Sequence, residues 1–250
     1  MIQALLALEI GPVHAADQVI IQDNFSSYVT SSGYLHIVGE VENQGDTYVE
    51  YVRVTAMYYD MNDSIVGTNY TVTKLRVLPP HTKSPFELIV DDADRAARIS
   101  RYSLLITGYI QESQLLPHIL RMISNSSFIS AAGYLNIIGE VNNEGASKCS
   151  YVTVTVTCYD LSGKVVAVND AYTTPLHIMP KANGTFNMMI ADRDQSSKVS
   201  RYTLQVESNE AFQIPEFSGI YIVAATCILV TLIVKSARFS HARPDTPALG

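Results

Sequence analysis

The chain has 250 residues, of which 47% are hydrophobic and only 16% are charged, and its formal net charge is −7. This acidic balance excludes a nucleic-acid-binding protein, which needs a basic surface to neutralise phosphates. The abundant apolar residues exclude a disordered chain, and a chain of this length buries a core without a disulfide or a metal ion. A typical soluble domain carries about 25% charged residues, so the shortage of charge needs its own explanation.

The first segment, residues 1–16, is similar to the rear part of a secretory signal peptide. It contains a short apolar stretch and a small-residue cleavage site at Val13-His14-Ala15. It has no basic start, and Glu9 interrupts the apolar stretch. We therefore expect a partial signal peptide whose start lies upstream, with an ordinary chain terminus as the alternative.

An internal repeat organises most of the chain. Residues 33–109 align without a gap to residues 133–209, with roughly a third of the positions identical. The identical stretches include Gly39-Glu40-Val41 with Gly139-Glu140-Val141, and Ser100-Arg101-Tyr102 with Ser200-Arg201-Tyr202. The period is too long for a solenoid unit of about 20–50 residues. We therefore predict two tandem domains, at residues 17–110 and 111–210.

Each of these domains is predicted to be an all-β, antiparallel sandwich. Valine and threonine alternate in residues 152–157, which is typical of a strand with one buried face. Turn-forming residues separate the strands, and we predict no helix within the repeat. The strands predicted for the first copy are residues 18–22, 34–42, 49–59, 64–72, 84–90 and 101–109, with equivalents 100 positions later. Short, evenly spaced strands of this kind indicate a sandwich.

Both copies contain the same ordered set of motifs. The pattern Gly-Glu-Val-x-Asn-x-Gly begins at Gly39, and a strand rich in valine and threonine then ends in Tyr59-Asp60; the second copy repeats both. A turn, a strand, a proline and a phenylalanine follow. The pattern resembles the FxLYD domain family over roughly residues 17–210, although residues 53–60 and their equivalents lack the phenylalanine and leucine of that motif. The resemblance implies immunoglobulin-like sandwiches in a surface protein, without enzymatic activity at these residues.

The C-terminal part is predicted to be a membrane anchor. Residues 217–234 contain no charge, and about 18 apolar residues are just long enough to span a bilayer as a helix. The tail, residues 235–250, has three basic residues and one acidic residue, so the positive-inside rule places it in the cytoplasm. A buried core helix is the alternative.

A short motif lies at the junction of the linker, residues 211–216, with this span. Pro215, Glu216 and Phe217, followed by the apolar run and the basic tail, are similar to the PEF-type C-terminal sorting signals of archaeal surface proteins. The resemblance implies processing by a membrane sorting peptidase. Ser218 stands where related signals often have glycine or proline, and the tail is long, so a permanent single-span anchor is the alternative.

The three cysteines are predicted to be unpaired. Cys149 and Cys158 fall in one predicted strand, which places them about 30 Å apart and on opposite faces, and Cys227 belongs to the membrane span. An intermolecular disulfide through Cys149 stays open if that strand face is exposed.

No cofactor, metal site or enzymatic activity is predicted. The six histidines lack zinc-ligand spacing, and His177 and Met179 lack a nearby cysteine for a copper site. Residues 91–94, with Asp192 and Asp194, offer carboxylates for calcium, but we interpret them as a solvated loop before the last strand. No nucleophile motif or phosphate-binding loop occurs in the sequence.

Glu40 and Arg101 are charged residues that recur between the copies, as Glu140 and Arg201. Because both copies keep them, we interpret them as requirements of the fold, such as cross-strand pairs. Specific binding is expected instead where the copies differ. Three tyrosines of the first copy are of this kind: Tyr48, Tyr58 and Tyr70.

Glycosylation is the clearest modification that the sequence suggests. Five Asn-x-Ser/Thr sequons occur, where about two are expected by chance. They begin at Asn24, Asn62, Asn69, Asn125 and Asn183. All five precede the predicted membrane span, which fits domains that lie outside the cell.

Together these features predict a single-pass membrane protein of the cell surface whose two extracellular domains have a structural or binding role. Its partners are expected to be the membrane, envelope proteins or glycans, and a sorting peptidase. Two alternatives stay open: an accessory subunit of a membrane or envelope complex, and a metal-binding extracytoplasmic module.

Overall fold

The computed structural model describes residues 18–112 and 116–213, together with the backbone of residues 221–222. The expected signal peptide, the basic tail and nearly all of the expected membrane span lie outside the described residues, as do Pro215, Glu216 and Phe217. Within the described residues, no helix has the length and apolar character needed to cross a bilayer.

Strands dominate the described chain, which confirms the expectation of an all-β protein. We call residues 18–112 copy 1 and residues 116–213 copy 2. The strands of copy 1 are β1 (Val19–Ile21), β2 (Ser26–Val29), β3 (Leu35–Asn43), β4 (Tyr48–Tyr59), β5 (Ile65–Val72), β6 (Val77–Leu78), β7 (Lys83–Val90) and β8 (Arg101–Glu112), with helix α1 (Ala93–Arg98) before β8. The later strands are β9 (His118–Ile129), β10 (Leu135–Asn143), β11 (Thr153–Tyr159), β12 (Val165–Tyr172), β13 (Asn183–Met189), β14 (Arg201–Glu207), β15 (Phe212–Gln213) and β16 (Tyr221–Ile222), with helix α2 (Arg193–Lys198) before β14.

The two short helices correct the expectation of a solvated loop at residues 91–94 and their equivalents. The carboxylate of Asp92 accepts a hydrogen bond from the backbone N–H of Arg95 at 3.0 Å, and Asp192 accepts one from Gln195 at 2.9 Å. An aspartate that satisfies a free N–H at the start of a helix stabilises that end. The recurring aspartates are therefore helix N-caps.

Two antiparallel sheets enclose the core of copy 1. In one sheet β3 pairs with β1 and β2 along one edge and with β7 along the other. In the second sheet β4 pairs with β5 and β6 along one edge and with β8 along the other. Alternate side chains point inward, so that Ile37, Val54, Phe86 and Leu88 are almost completely buried in one hydrophobic cluster.

The strands of copy 2 pair in the same order. β10 lies between β9 and β13, and β11 lies between β12 and β14. β15 links the two halves, because it pairs in parallel with β9 and antiparallel with β14. β16 pairs with β14, so its two residues, which belong to the expected membrane span, are in a strand and not in the expected helix. A separate core cluster includes Ile137, Val154, Phe186 and Tyr202.

The recurring Gly39 and Gly139 allow a ring to pack directly on the backbone. A Cβ atom on Gly39 would lie 2.8 Å from the ring of Phe86, and one on Gly139 would lie 2.6 Å from the ring of Phe186. Carbon atoms prefer separations of about 3.5–4.0 Å. Glycine is therefore needed at both positions for close packing.

The asparagine of the same motif holds the following loop in place. Asn43 is fully buried, and its Nδ2 donates to the carbonyls of Thr47 and Leu78 at 2.8 and 3.0 Å. Its Oδ1 accepts from the backbone N–H of Gly45 at 3.1 Å. Asn143 makes the three equivalent bonds in copy 2. A buried amide that is satisfied in this way fixes the loop conformation.

The expected placement of Cys149 is wrong, whereas Cys158 lies in a strand and in the core as expected. The strand expected at residues 149–159 begins only at Thr153, and Tyr151, which has a left-handed φ of 54°, lies before it. Cys149 instead forms an isolated bridge with Ile178. Cys149 and Cys158 are both free and are buried in the same core, not on opposite faces, so Cys149 has no exposed face for an intermolecular disulfide.

Candidate functional site

Copy 2 covers the outward face of a copy 1 sheet. Strand β12 contacts β2, β3 and β7 of copy 1. Val38 on β3 and Val165 on β12 are fully buried there, and Val168 is nearly so. With Tyr28 and Tyr159 they form an apolar cluster that is separate from the two cores. The two copies are therefore joined by an apolar contact of their own.

A buried carboxylate adjoins this cluster. Glu40 is only 4% exposed, and its Oε1 accepts a hydrogen bond from the Tyr159 hydroxyl at 2.7 Å. Its Oε2 accepts from Nδ2 of Asn24 at 2.6 Å. Burial, together with the negative charge of Glu40, raises the pKa of Tyr159, so that the hydroxyl stays protonated as a donor. A charge-assisted hydrogen bond therefore connects the copies.

The segment between β1 and β2 also bonds directly to copy 2. The backbone N–H of Val165 donates to the carbonyl of Asn24 at 2.8 Å, and the Ser26 hydroxyl donates to the carbonyl of Val165 at 2.5 Å. Nζ of Lys164 donates to the carbonyl of Asp23 at 2.8 Å. These bonds fix the position of β12 on copy 1.

Charged groups flank the contact. Nζ of Lys74 lies 2.7 Å from Oδ1 of Asp170. The carboxylate of Glu207 accepts from the backbone N–H of Arg76, with distances of 2.9 and 3.2 Å to its two oxygens. Burial raises the pKa of Glu207 to about 7, although the hydrogen bond and the charge of Arg76 act in the opposite direction. Glu207 therefore exchanges a proton near neutral pH.

A cleft of about 380 Å³ opens at the seam between the copies. Copy 1 contributes Tyr28, His36 and Glu87 to its lining, and copy 2 contributes Asn169 and Asp192. Nδ1 of His36 lies 2.9 Å from Oε1 of Glu87, and the imidazole stacks on the ring of Tyr28. These groups can hydrogen-bond a small polar molecule.

The recurring Glu40 and Arg101 do not form the expected cross-strand pair. Nε of Arg101 donates to Asp63 at 2.7 Å, and its guanidinium lies 3.8 Å from the centroid of the Tyr59 ring. The equivalent guanidinium of copy 2 lies 3.9 Å from the ring of Tyr159. Cation–π stacking therefore recurs within each copy, whereas Glu40 bonds between the copies.

The three tyrosines expected to mark a binding surface have different environments. Tyr58 is fully buried in the core of copy 1, so the expectation is wrong for this residue. Tyr48 is partly buried and stacks on Phe212 of copy 2. Tyr70 is exposed, and the guanidinium of Arg53 lies 4.6 Å from its ring centroid. Only Tyr70 presents an open aromatic surface among the three.

The sequons also differ in how accessible their amides are. In three of them the side-chain nitrogen that a glycan would modify already donates a hydrogen bond: Asn24 to Glu40, Asn69 to the carbonyl of Ile89, and Asn183 to Glu140, at 2.6, 2.9 and 2.8 Å. Asn125 is partly buried, and its Oδ1 accepts from the Tyr202 hydroxyl. Asn62 lies in the exposed turn between β4 and β5.

The groups considered for metal or redox chemistry are dispersed. In residues 18–112 and 116–213, no three His, Cys, Asp or Glu side chains form a group that could hold a metal ion. Asp92 and Asp192, which were considered for calcium, cap the two helices. Burial raises the pKa of the Cys158 thiol, which makes it an inert core side chain.

The contact between the copies was not expected from the sequence. One signal for it was present, because Val38 lies between the inward-facing Ile37 and Gly39 and is therefore on the outward face of β3. An outward-facing apolar residue in the middle of a strand indicates that the second face is also covered.

No protein-family model and no curated protein matches the sequence. Solved structures similar to this chain include a transglutaminase from red sea bream, with 11% identity and a TM-score of 0.26 over 78% of this chain and 29% of the other. An exo-chitosanase from Amycolatopsis orientalis has 12% identity and a TM-score of 0.29, over 77% and 26% of the two chains. A calcium-binding mutant of β-glucuronidase 2 from Bacteroides uniformis has 12% identity and a TM-score of 0.32, over 79% and 28%. The chain thus spans less than a third of each of these proteins, and similarity this low assigns no activity.

Proposed function

We propose that the chain is a membrane-anchored protein of the cell surface, with a non-catalytic ectodomain of two immunoglobulin-like, FxLYD-type domains at residues 17–110 and 111–210. In this proposal residues 217–234 form the anchor, and the basic tail lies in the cytoplasm. The ectodomain serves as a spacer or a binding head towards envelope proteins or glycans.

The contact between the copies is the observation that carries this proposal. Its centre is apolar, and hydrogen bonds from Tyr159, Val165 and Lys164 surround that centre. Contacts of this kind restrain the relative motion of neighbouring domains. A tandem pair held in one orientation can present a ligand-binding surface at a fixed distance from its anchor.

Outer faces of the sheets offer surfaces for partners. The side chains of Tyr70, Ile110 and Tyr172 are exposed on strands. Tyrosine is enriched among the residues of protein interfaces. These side chains supply the contacts that the proposed binding role needs.

A substitution at the contact tests whether the pair is held together. We expect Val165→Asp to separate the copies, because an uncompensated charge is costly at a buried site. Small-angle scattering would then report a larger radius of gyration. The matched control is Leu161→Asp, at a fully exposed apolar position of copy 2 outside the contact. An unchanged radius for Val165→Asp would contradict the rigid-pair proposal.

Protease treatment of intact cells tests the topology. We expect the chain to sediment with membranes, the N-terminal domains to be digested from outside, and residues 235–250 to be protected until the cells are lysed. A soluble chain, or protected N-terminal domains, would refute the anchor. Intact-protein mass spectrometry then separates the two fates of the C-terminus: loss of residues beyond Pro215-Glu216-Phe217 supports a sorting peptidase, and their retention supports a permanent anchor.

A further inference from the structure

The contact between the copies uses two different surfaces. We call the one on copy 1 the receiving face; it contains Tyr28, Val38 and Glu40. We call the one on copy 2 the docking face; it includes Tyr159, Val165 and Val168. Because the two surfaces differ, the contact is heterologous. The surface equivalent to the receiving face on copy 2, and the one equivalent to the docking face on copy 1, therefore take no part in it.

The counterpart receiving face lies on copy 2. The repeat places Phe128, Ile138 and Glu140 at the positions of Tyr28, Val38 and Glu40. Phe128 is 51% exposed and Ile138 is 38% exposed, whereas Val38 is fully buried. Oε1 of Glu140 accepts from an asparagine amide at 2.8 Å, much as Glu40 accepts from Asn24. Copy 2 therefore has an open surface with the same combination of apolar side chains and a carboxylate.

The counterpart docking face lies on copy 1. The repeat places Tyr59, Ile65 and Thr68 at the positions of Tyr159, Val165 and Val168. Ile65 is 59% exposed, whereas Val165 is fully buried.

The Tyr59 hydroxyl lacks the carboxylate acceptor that Tyr159 has. It lies 3.4 Å from the Ser103 hydroxyl, and Tyr159 keeps the same contact with Thr203 at 3.4 Å. Tyr159 also has the Glu40 carboxylate at 2.7 Å. In the described part of the chain, no carboxylate accepts a hydrogen bond from the Tyr59 hydroxyl.

We propose that the docking face of copy 1 in one molecule binds the receiving face of copy 2 in another, so that chains associate head to tail. The Tyr59 hydroxyl then donates to Glu140, and Ile65 packs against Ile138 and Phe128. Because each molecule keeps one face of each kind, the association is open-ended unless its geometry closes a ring. The proposal does not depend on membrane attachment.

The flanking residues indicate that this contact is the weaker of the two. Lys74 and Asp170 form an ion pair in the contact within the chain. In the repeat they correspond to Thr174 and Tyr70, which carry no charge. Likewise, Arg76 and Glu207, which are in contact within the chain, correspond to Leu176 and Thr107 in the repeat. Without those charged partners, the contact between molecules relies on the apolar centre and the tyrosine–glutamate bond. Such a contact forms reversibly and depends on protein concentration.

Two variants block one face each. Ile65→Asp places a charge on the docking face, and Ile138→Asp places one on the receiving face. Both positions are exposed, so the core of each copy is left intact, and unchanged melting temperatures verify this. The matched control is Leu161→Asp, an exposed apolar position that belongs to neither free face.

The experiment is sedimentation of the full chain in detergent at 0.5 M salt, up to about 1 mM, where weak specific association is populated. We expect the wild type and the Leu161→Asp control to form species larger than dimers as concentration rises. Each blocked variant alone stays monomeric, and an equimolar mixture of the two forms dimers and nothing larger. Tyr59→Phe weakens association of the wild type by about tenfold to a hundredfold, as expected for a hydrogen bond to a charged group.

Other outcomes would overturn the proposal. A wild type that stays monomeric over the whole concentration range has no such contact. Self-association of Ile65→Asp alone would show that receiving faces pair with each other. Association that survives both substitutions would belong to the membrane segment. Each of these results would leave the proposed anchor and topology untouched, because those are tested by protease accessibility.

Discussion

Replacing Glu207 with glutamine tests how a buried carboxylate couples folding to pH. Glu207 is only 8% exposed, and its carboxylate accepts a hydrogen bond from the backbone of Arg76 across the contact between the copies. Burial raises its pKa from 4.5 to about 7. Between these pH values the folded chain binds a proton that the unfolded chain has released.

The sign of the effect follows from this difference in bound protons. Because the unfolded chain binds fewer protons, the free energy of unfolding falls as pH rises through this range. A pKa difference of about 2.5 units corresponds to about 3 kcal/mol. This stability is fully present below pH 4.5 and is lost as pH rises through about 7.

Denaturant unfolding at pH 5 and at pH 8 measures the effect. Tyrosine fluorescence can follow it, because the chain has 15 tyrosines and no tryptophan. We expect the wild type to lose about 2.5 kcal/mol more than Glu207→Gln between the two pH values, because most of the titration falls in this range and the variant stays neutral. Glu144→Gln, at a half-exposed carboxylate paired with Arg121, is the control for the loss of a carboxylate outside the contact between the copies. Equal losses in Glu207→Gln and the wild type would refute the reasoning.

Three further predictions concern the repeated motif and the sequons. Asn143→Ala should lower the stability of copy 2 by about 2–3 kcal/mol, since buried backbone groups lose their partner; unfolding curves measure this. Gly139→Ala should cost about 1–3 kcal/mol through overpacking, because its Cβ would clash with the carbonyl oxygen of Ser124 and lie 2.6 Å from the Phe186 ring; in the double variant Phe186→Leu should recover only the part of that loss due to the ring. If the chain is glycosylated, glycopeptide mass spectrometry should find Asn62 occupied and Asn24 unoccupied, because the Asn24 amide is held by Glu40 in the contact.

Alternation predicted the strands because most of them bury one face on a core. The strand expected at residues 84–90 is β7, and the one expected at residues 101–109 is most of β8. The same alternation places Tyr58 in the core, because it is in phase with the buried Val54 and Ala56, and this contradicts its expected place on a binding surface.

Other features depend on contacts that are distant in sequence. The left-handed backbone at Tyr151, which moves Cys149 into the core, leaves no mark in the pattern, because tyrosine gives no signal for a positive φ. The partner of Glu40 is Tyr159, 119 positions away and in the other copy. A pair of this kind can be predicted only when the relative position of the two sheets is known.

Residues that recur in both copies therefore recur for more than one reason. Gly39 acts within its own copy, where it packs against a phenylalanine, and its counterpart does the same. The bond from Tyr159 to Glu40 acts between copies, so its counterparts Tyr59 and Glu140 lie on the two faces that this contact leaves unused. Within copy 1 the Tyr59 ring stacks on Arg101, and its hydroxyl contacts the Ser103 hydroxyl at 3.4 Å and the Met57 sulfur at 4.0 Å, both weaker partners than a carboxylate. A second molecule gives that hydroxyl the same acceptor that Tyr159 already has.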